Sequence, residues 1–98
     1  MLPKFLDAEP RELRVTSMRL RADPTKLHRQ IALFGKSTAG MPPIWVYEGS
    51  DGVLVITNGV TRATRIAKLV PGVLVPVEVI GVKRRAFGHL PKIGDLLP

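Results

Sequence analysis

Apolar residues along this chain switch between a period of two and a helical period, and each switch marks an element. Leu13 and Val15, then Met18 and Leu20, alternate with Arg14, Thr16 and Arg19 across a phase slip at Ser17, which predicts a short, bulged strand over 14–20. Asp23-Pro24 is a helix-start signal, since the carboxylate accepts orphan N–H groups and proline fits the first turn. Leu27, Ile31 and Phe34 then form one stripe, and Gly35 ends it, giving a helix over 24–34. Ile44 to Tyr47 and Val53 to Thr57 flank the turn-forming run Glu48-Gly49-Ser50-Asp51-Gly52, which predicts a β-hairpin with strands over 44–47 and 53–57. Ala63, Ile66, Ala67 and Val70 predict an amphipathic helix over 61–70, stopped by Pro71-Gly72. A last strand is expected over 74–80, where Pro76 favours a sheet edge or an irregular start. The reading is an α+β fold, a small mixed sheet with two main helices, whose core includes Ile44, Val46, Val55, Ile66, Val77 and Val79.

With 98 residues the chain has material for one modest core, so a single domain over 1–98 is expected. Within it, residues 1–12 carry prolines and mixed charge without a period and read as a flexible arm, while 81–98 read as a basic C-terminal extension. Cysteine is absent, which excludes disulfides, thiolate metal sites and cysteine nucleophiles. No stretch approaches the roughly 18 apolar residues of a membrane span, and the N-terminus has no apolar signal region, so the expectation is a cytoplasmic protein of bacterial type with no membrane partner. Fifteen Lys and Arg against eight Asp and Glu leave a formal charge of +7, which favours nucleic acid or a nucleotide as partner.

Candidate chemistry narrows quickly. His28 and His89 lie far apart without carboxylates at ligand spacing, so no metal site is expected, and Ser17, Ser37 and Ser50 have no triad spacing. The informative place is Ile56-Thr57-Asn58-Gly59-Val60-Thr61-Arg62, where a strand delivers the chain to a helix N-terminus. Open backbone N–H groups and the helix dipole favour an anion there, Gly59 permits close approach, and Arg62 and Arg65 supply charged forks. The competing reading makes Asn58 or Thr61 a helix cap, Gly59 a turn residue and both arginines solvated; the residues alone leave the two open. Lys83-Arg84-Arg85, with Lys92 beyond, form a second basic region suited to a nucleic-acid backbone.

Pro42-Pro43-Ile44-Trp45-Val46, the Asp51-Gly52 turn, Gly59-Val60-Thr61-Arg62, Ala67-Lys68-Leu69 and Val75-Pro76-Val77-Glu78-Val79-Ile80, taken in order, resemble the ParB N-terminal, or ParB/sulfiredoxin, domain. Upstream, Met18-Arg19-Leu20-Arg21-Ala22-Asp23-Pro24 resembles the strand-plus-proline segment before the family's first helix, so the resemblance covers about residues 13–80. It implies a ParB-like module that holds a nucleotide or nucleic-acid backbone at the strand-turn-helix junction, with Asn58, Gly59, Thr61, Arg62 and Arg65 around the phosphate; Lys83, Arg84, Arg85 and Lys92 lie beyond the resemblance and are expected on nucleic acid by their charge alone. The cofactor is left open by the residues; the resemblance points to a nucleoside triphosphate with Mg²⁺. Val60-Thr61 replaces the middle of the G-E-R-R box of partition proteins, and the missing cysteine excludes sulfiredoxin chemistry. The alternative implied by the same family is a nuclease or nucleotide-dependent phosphotransfer enzyme, in the manner of a toxin-like effector, using Glu48, Asp51 or Glu78. A third expectation is a member that mediates protein contacts alone, as a homodimer or with another protein.

Overall fold

Asp23 and Pro24 begin the first helix as their pairing predicts. In the computed structural model, which describes residues 4–16 and 23–97, the Asp23 carboxylate accepts from the backbone N–H groups of Thr25 and Lys26 at 2.9 and 3.1 Å, and α1 runs over Pro24–Phe34. Gly35 closes it in the left-handed region, with φ of 53°, where a side chain would be strained. The hairpin follows as β2 (Ile44–Glu48) and β3 (Leu54–Asn58), paired antiparallel. Its turn is closed by the Gly49 N–H donating to the Val53 carbonyl at 2.9 Å. Then come α2 (Val60–Leu69) and β4 (Val75–Val82).

The sheet has four strands in the order β1-β4-β2-β3, where β1 is Lys4–Ala8. Strand β4 is antiparallel to β1 and parallel to β2, so the sheet is mixed and the fold α+β. Ala63, Ile66 and Ala67 of α2 share one buried cluster with Ile44, Val46, Ile56, Val75, Val77 and Val79 of the sheet. All six residues expected in the core are buried. The opposite face leaves Phe5 and Trp45 exposed on either side of Glu78. Among the described residues no helix is long and apolar enough to cross a membrane.

Three expectations need correction. Residues 4–8 are a paired strand rather than a flexible arm, and Pro10 beyond them is buried in a short 3-10 turn over Pro10–Glu12. The stabilising partner is β4, about 70 residues away in sequence, so no local pattern could announce it. Residues 81–97 are no extension either. They pair through the Lys83 N–H to the Glu48 carbonyl and the Ile93 N–H to the Leu13 carbonyl, both at 2.8 Å, and bury Phe87, Ile93 and Leu96. Finally, β4 is an interior strand despite Pro76. The proline sits opposite Asp7 of β1, one residue before the pairing with β2 begins at Val77, where its missing N–H takes nothing from that ladder. Of the strand expected over 14–20, Arg14 bridges β3 through its N–H to the Leu54 carbonyl and its carbonyl to the Ile56 N–H, at 2.9 and 2.8 Å. Residues 17–20 lie outside the described residues.

Candidate functional site

Strand β3 hands the chain to α2 through Gly59, which caps the helix with φ of 113°. A Cβ at this position would lie 2.9 Å from Arg62 Nη2 and 3.1 and 3.2 Å from the two γ carbons of Ile44, so both the backbone angle and the space require glycine. Neither Asn58 nor Thr61 caps the helix, because its N-cap makes no side-chain hydrogen bond. The N–H groups of the first turn are therefore left with the positive end of the helix dipole and no side-chain acceptor.

Those groups open into a groove of about 500 Å³ between α1 and the start of α2. Asn58, Gly59, Thr61 and Arg62 line it from one side, and Lys26 and Arg29 from the other. No carboxylate is among the lining residues. The Arg62 guanidinium is braced by Nη2 donating to the Pro43 carbonyl at 3.1 Å, while its buried Nε has no acceptor. Burial pushes Arg62 below the ordinary arginine value, yet a guanidinium stays charged at neutral pH. A half-buried, braced and permanently charged fork beside open helix N–H groups can hold a phosphate oxygen with little side-chain entropy to lose. Arg62 also lines a smaller cavity of about 180 Å³ toward Met41 and Pro42.

The expectation for Arg65 is corrected. It does not line the groove, though it shares the smaller cavity with Arg62; it is 2% exposed, and its Nη1 donates to the Gly35 and Ser37 carbonyls at 2.6 and 2.8 Å. Its guanidinium also lies 5.4 Å from the Phe34 ring centre. A cation at the C-terminal end of α1 is favoured by that helix's dipole, so Arg65 fastens α2 to α1 instead of reaching a ligand at the junction.

The second basic region separates in the same way. Lys83, Arg84 and Arg85 are exposed, with the Lys83 ammonium 4.3 Å from the Tyr47 ring centre and the Arg85 guanidinium 5.6 Å from that of Phe87. Lys92 instead pairs with Glu12 at 2.9 Å. Lys83, Arg85, Tyr47 and Phe87 line a further groove of about 440 Å³. The loop that carries Phe87 is held by the Asp51 carboxylate, which accepts from the N–H groups of Phe87 and Gly88 at 3.2 and 2.8 Å. Desolvation pushes the Asp51 carboxyl up, but bonds from the backbone of Phe87, Gly88 and Val53 outweigh it and hold the group below its usual range.

The three carboxylates considered for an enzymatic role do not meet. Glu48 pairs with Lys4 at 3.1 Å, Asp51 serves the backbone, and Glu78 lies on the sheet between Phe5 and Trp45. Among the described residues no three His, Cys, Asp or Glu side chains cluster as they would around a metal ion.

Sequence reasoning missed Lys26 and Arg29. Their i, i+3 spacing beside the apolar stripe of α1 puts them on one helix face, but only the packing of α1 on α2 turns that face to Gly59. Scans against protein-family models, curated proteins and solved structures return no match for this chain.

Proposed function

We propose that the protein is a phosphate-binding module of the ParB-like kind, which takes the phosphate of a nucleotide or nucleic-acid backbone at the start of α2. The observation that carries this reading is the uncapped first turn of α2 opening into a groove lined by Lys26, Arg29 and Arg62 without a carboxylate. An anion there gains from backbone donors, the helix dipole and a charge-assisted fork together, whereas an uncharged ligand gains from none of them fully.

Affinity therefore follows phosphate number more than base identity. Isothermal titration with nucleoside, monophosphate and triphosphate tests this directly: binding strengthens along the series. Arg62→Ala weakens the triphosphate by about 2 kcal/mol, a loss of roughly thirtyfold, while circular dichroism stays unchanged. Equal binding of nucleoside and triphosphate, or a folded Arg62→Ala variant with unchanged affinity, refutes the reading.

A further inference from the structure

The groove at the start of α2 and the groove beneath Lys83 and Arg85 are neighbours: both are lined by Thr57 of β3, an exposed residue on the sheet's edge strand. From Val55, which lines the second groove, to Asn58, which lines the first, the strand advances about 10 Å. Lys26, Arg29 and Arg62 stand at one end and Lys83 and Arg85 at the other, with no carboxylate lining either groove. Glu12 and Glu48 are engaged in ion pairs, and Asp23, Asp51 and Asp95 accept from backbone N–H groups. Positive charge thus lines both grooves along this edge of the molecule, with no carboxylate in either lining.

We infer that these two grooves form one track for a single-stranded nucleic acid, which crosses β3 at Thr57. This rests on the phosphate reading of the α2 groove and adds the substrate class, a polynucleotide strand instead of a free nucleotide. One phosphate sits at the first turn of α2 beside Arg62, and the following phosphates run toward Lys83 and Arg85. The aromatic rings fix the two cations in place: Lys83 rests on Tyr47, and Arg85 lies against Phe87, itself buried and held by the Asp51-anchored loop. Because Lys83 already covers the Tyr47 ring, the track offers charge more than stacking surface, and it reads the backbone with little regard for base sequence. Its two recesses, about 500 and 440 Å³, are of the size that encloses small-ligand groups, so each admits single phosphates or nucleotides of a flexible strand.

The test compares wild type, Arg62→Ala and the double variant Lys83→Gln, Arg85→Gln, which keeps polar side chains over both rings so that the fold persists. Fluorescence anisotropy with oligothymidylate, and with a duplex of equal length, is read beside titration with a nucleoside triphosphate. The track requires that wild type bind the oligonucleotide more tightly than the triphosphate and more tightly than the duplex. In the double variant the slope of log affinity against log salt falls by about 1.4 for the strand, corresponding to roughly 25-fold weaker binding at 0.1 M salt, while triphosphate affinity is unchanged. Arg62→Ala weakens both ligands. An oligonucleotide bound no better than the triphosphate, a duplex bound as tightly as the strand, or a salt slope untouched in the double variant overturns the track and leaves the phosphate site standing. Triphosphate affinity indifferent to Arg62 overturns the phosphate site itself, and the track with it.

Discussion

Gly59→Ala is the substitution whose cost can be worked most fully from the structure. Two terms act on it. The first is conformational: a φ of 113° lies where a side chain is strained by about 1–3 kcal/mol. The second is contact: the new methyl would sit 3.1 and 3.2 Å from the γ carbons of Ile44, a fully buried residue that cannot yield without disturbing the core, and 2.9 Å from Arg62 Nη2, which can move. Overpacking of this kind adds about 1–3 kcal/mol. Gly72→Ala provides the control, since Gly72 has a comparable φ of 90° and nothing within 4 Å of the added carbon. The expected losses are about 2–6 kcal/mol at Gly59 and about 1–3 kcal/mol at Gly72. Urea denaturation followed by circular dichroism measures both, and in a domain this size each kcal/mol also lowers the melting temperature by about 4–8 °C. The displaced Arg62 fork gives a second readout, weaker phosphate binding in whatever fraction remains folded. A Gly59→Ala loss no greater than that of Gly72→Ala would refute the claim that Ile44 and Arg62 crowd this position.

Ile66→Ala, which removes a fully buried side chain from the centre of α2, is expected to destabilise the protein by about 2–5 kcal/mol in the same denaturation assay. Arg65→Met strips a charged donor from the Gly35 and Ser37 carbonyls and is expected to cost about 2–3 kcal/mol of stability with phosphate affinity of the folded protein unchanged, the reverse of Arg62→Ala; titration and denaturation of both variants separate the two roles. For Asp51 the folded pKa lies below the unfolded value near 3.9, so its contribution is complete above that value and is lost as pH falls through the folded pKa. Wild type should therefore be more stable than Asp51→Asn at pH 7, with the gap narrowing as denaturation curves are repeated below about pH 3.9.

Much of the fold was legible because its signals are short-range. Asp23 and Pro24 start α1, Gly35 ends it, Asp51-Gly52 turns the hairpin, and the Ala63-Ile66-Ala67 stripe marks the buried face of α2; each depends on residues within a few positions of one another. The strand-to-helix junction was legible for the same reason, down to Gly59 and Arg62. Tertiary structure decided what sequence distance hides. The pairing of β1 with β4, the return of Ile93 to Leu13, and the interior place of a strand containing Pro76 all join segments too far apart for a local pattern to link. It also separated side chains that look alike in sequence. Arg62 and Arg65 stand one helical turn apart, yet the first faces a groove while the second is drawn to the Gly35 and Ser37 carbonyls just beyond the C-terminus of α1. Lys83 and Lys92 carry the same charge, but one rests on Tyr47 and the other pairs with Glu12. Local backbone chemistry names the elements and the kind of site they can form. Which charges remain available to that site is set by long-range packing, because a guanidinium or ammonium is spent or free according to the carbonyls and carboxylates that the fold brings to it.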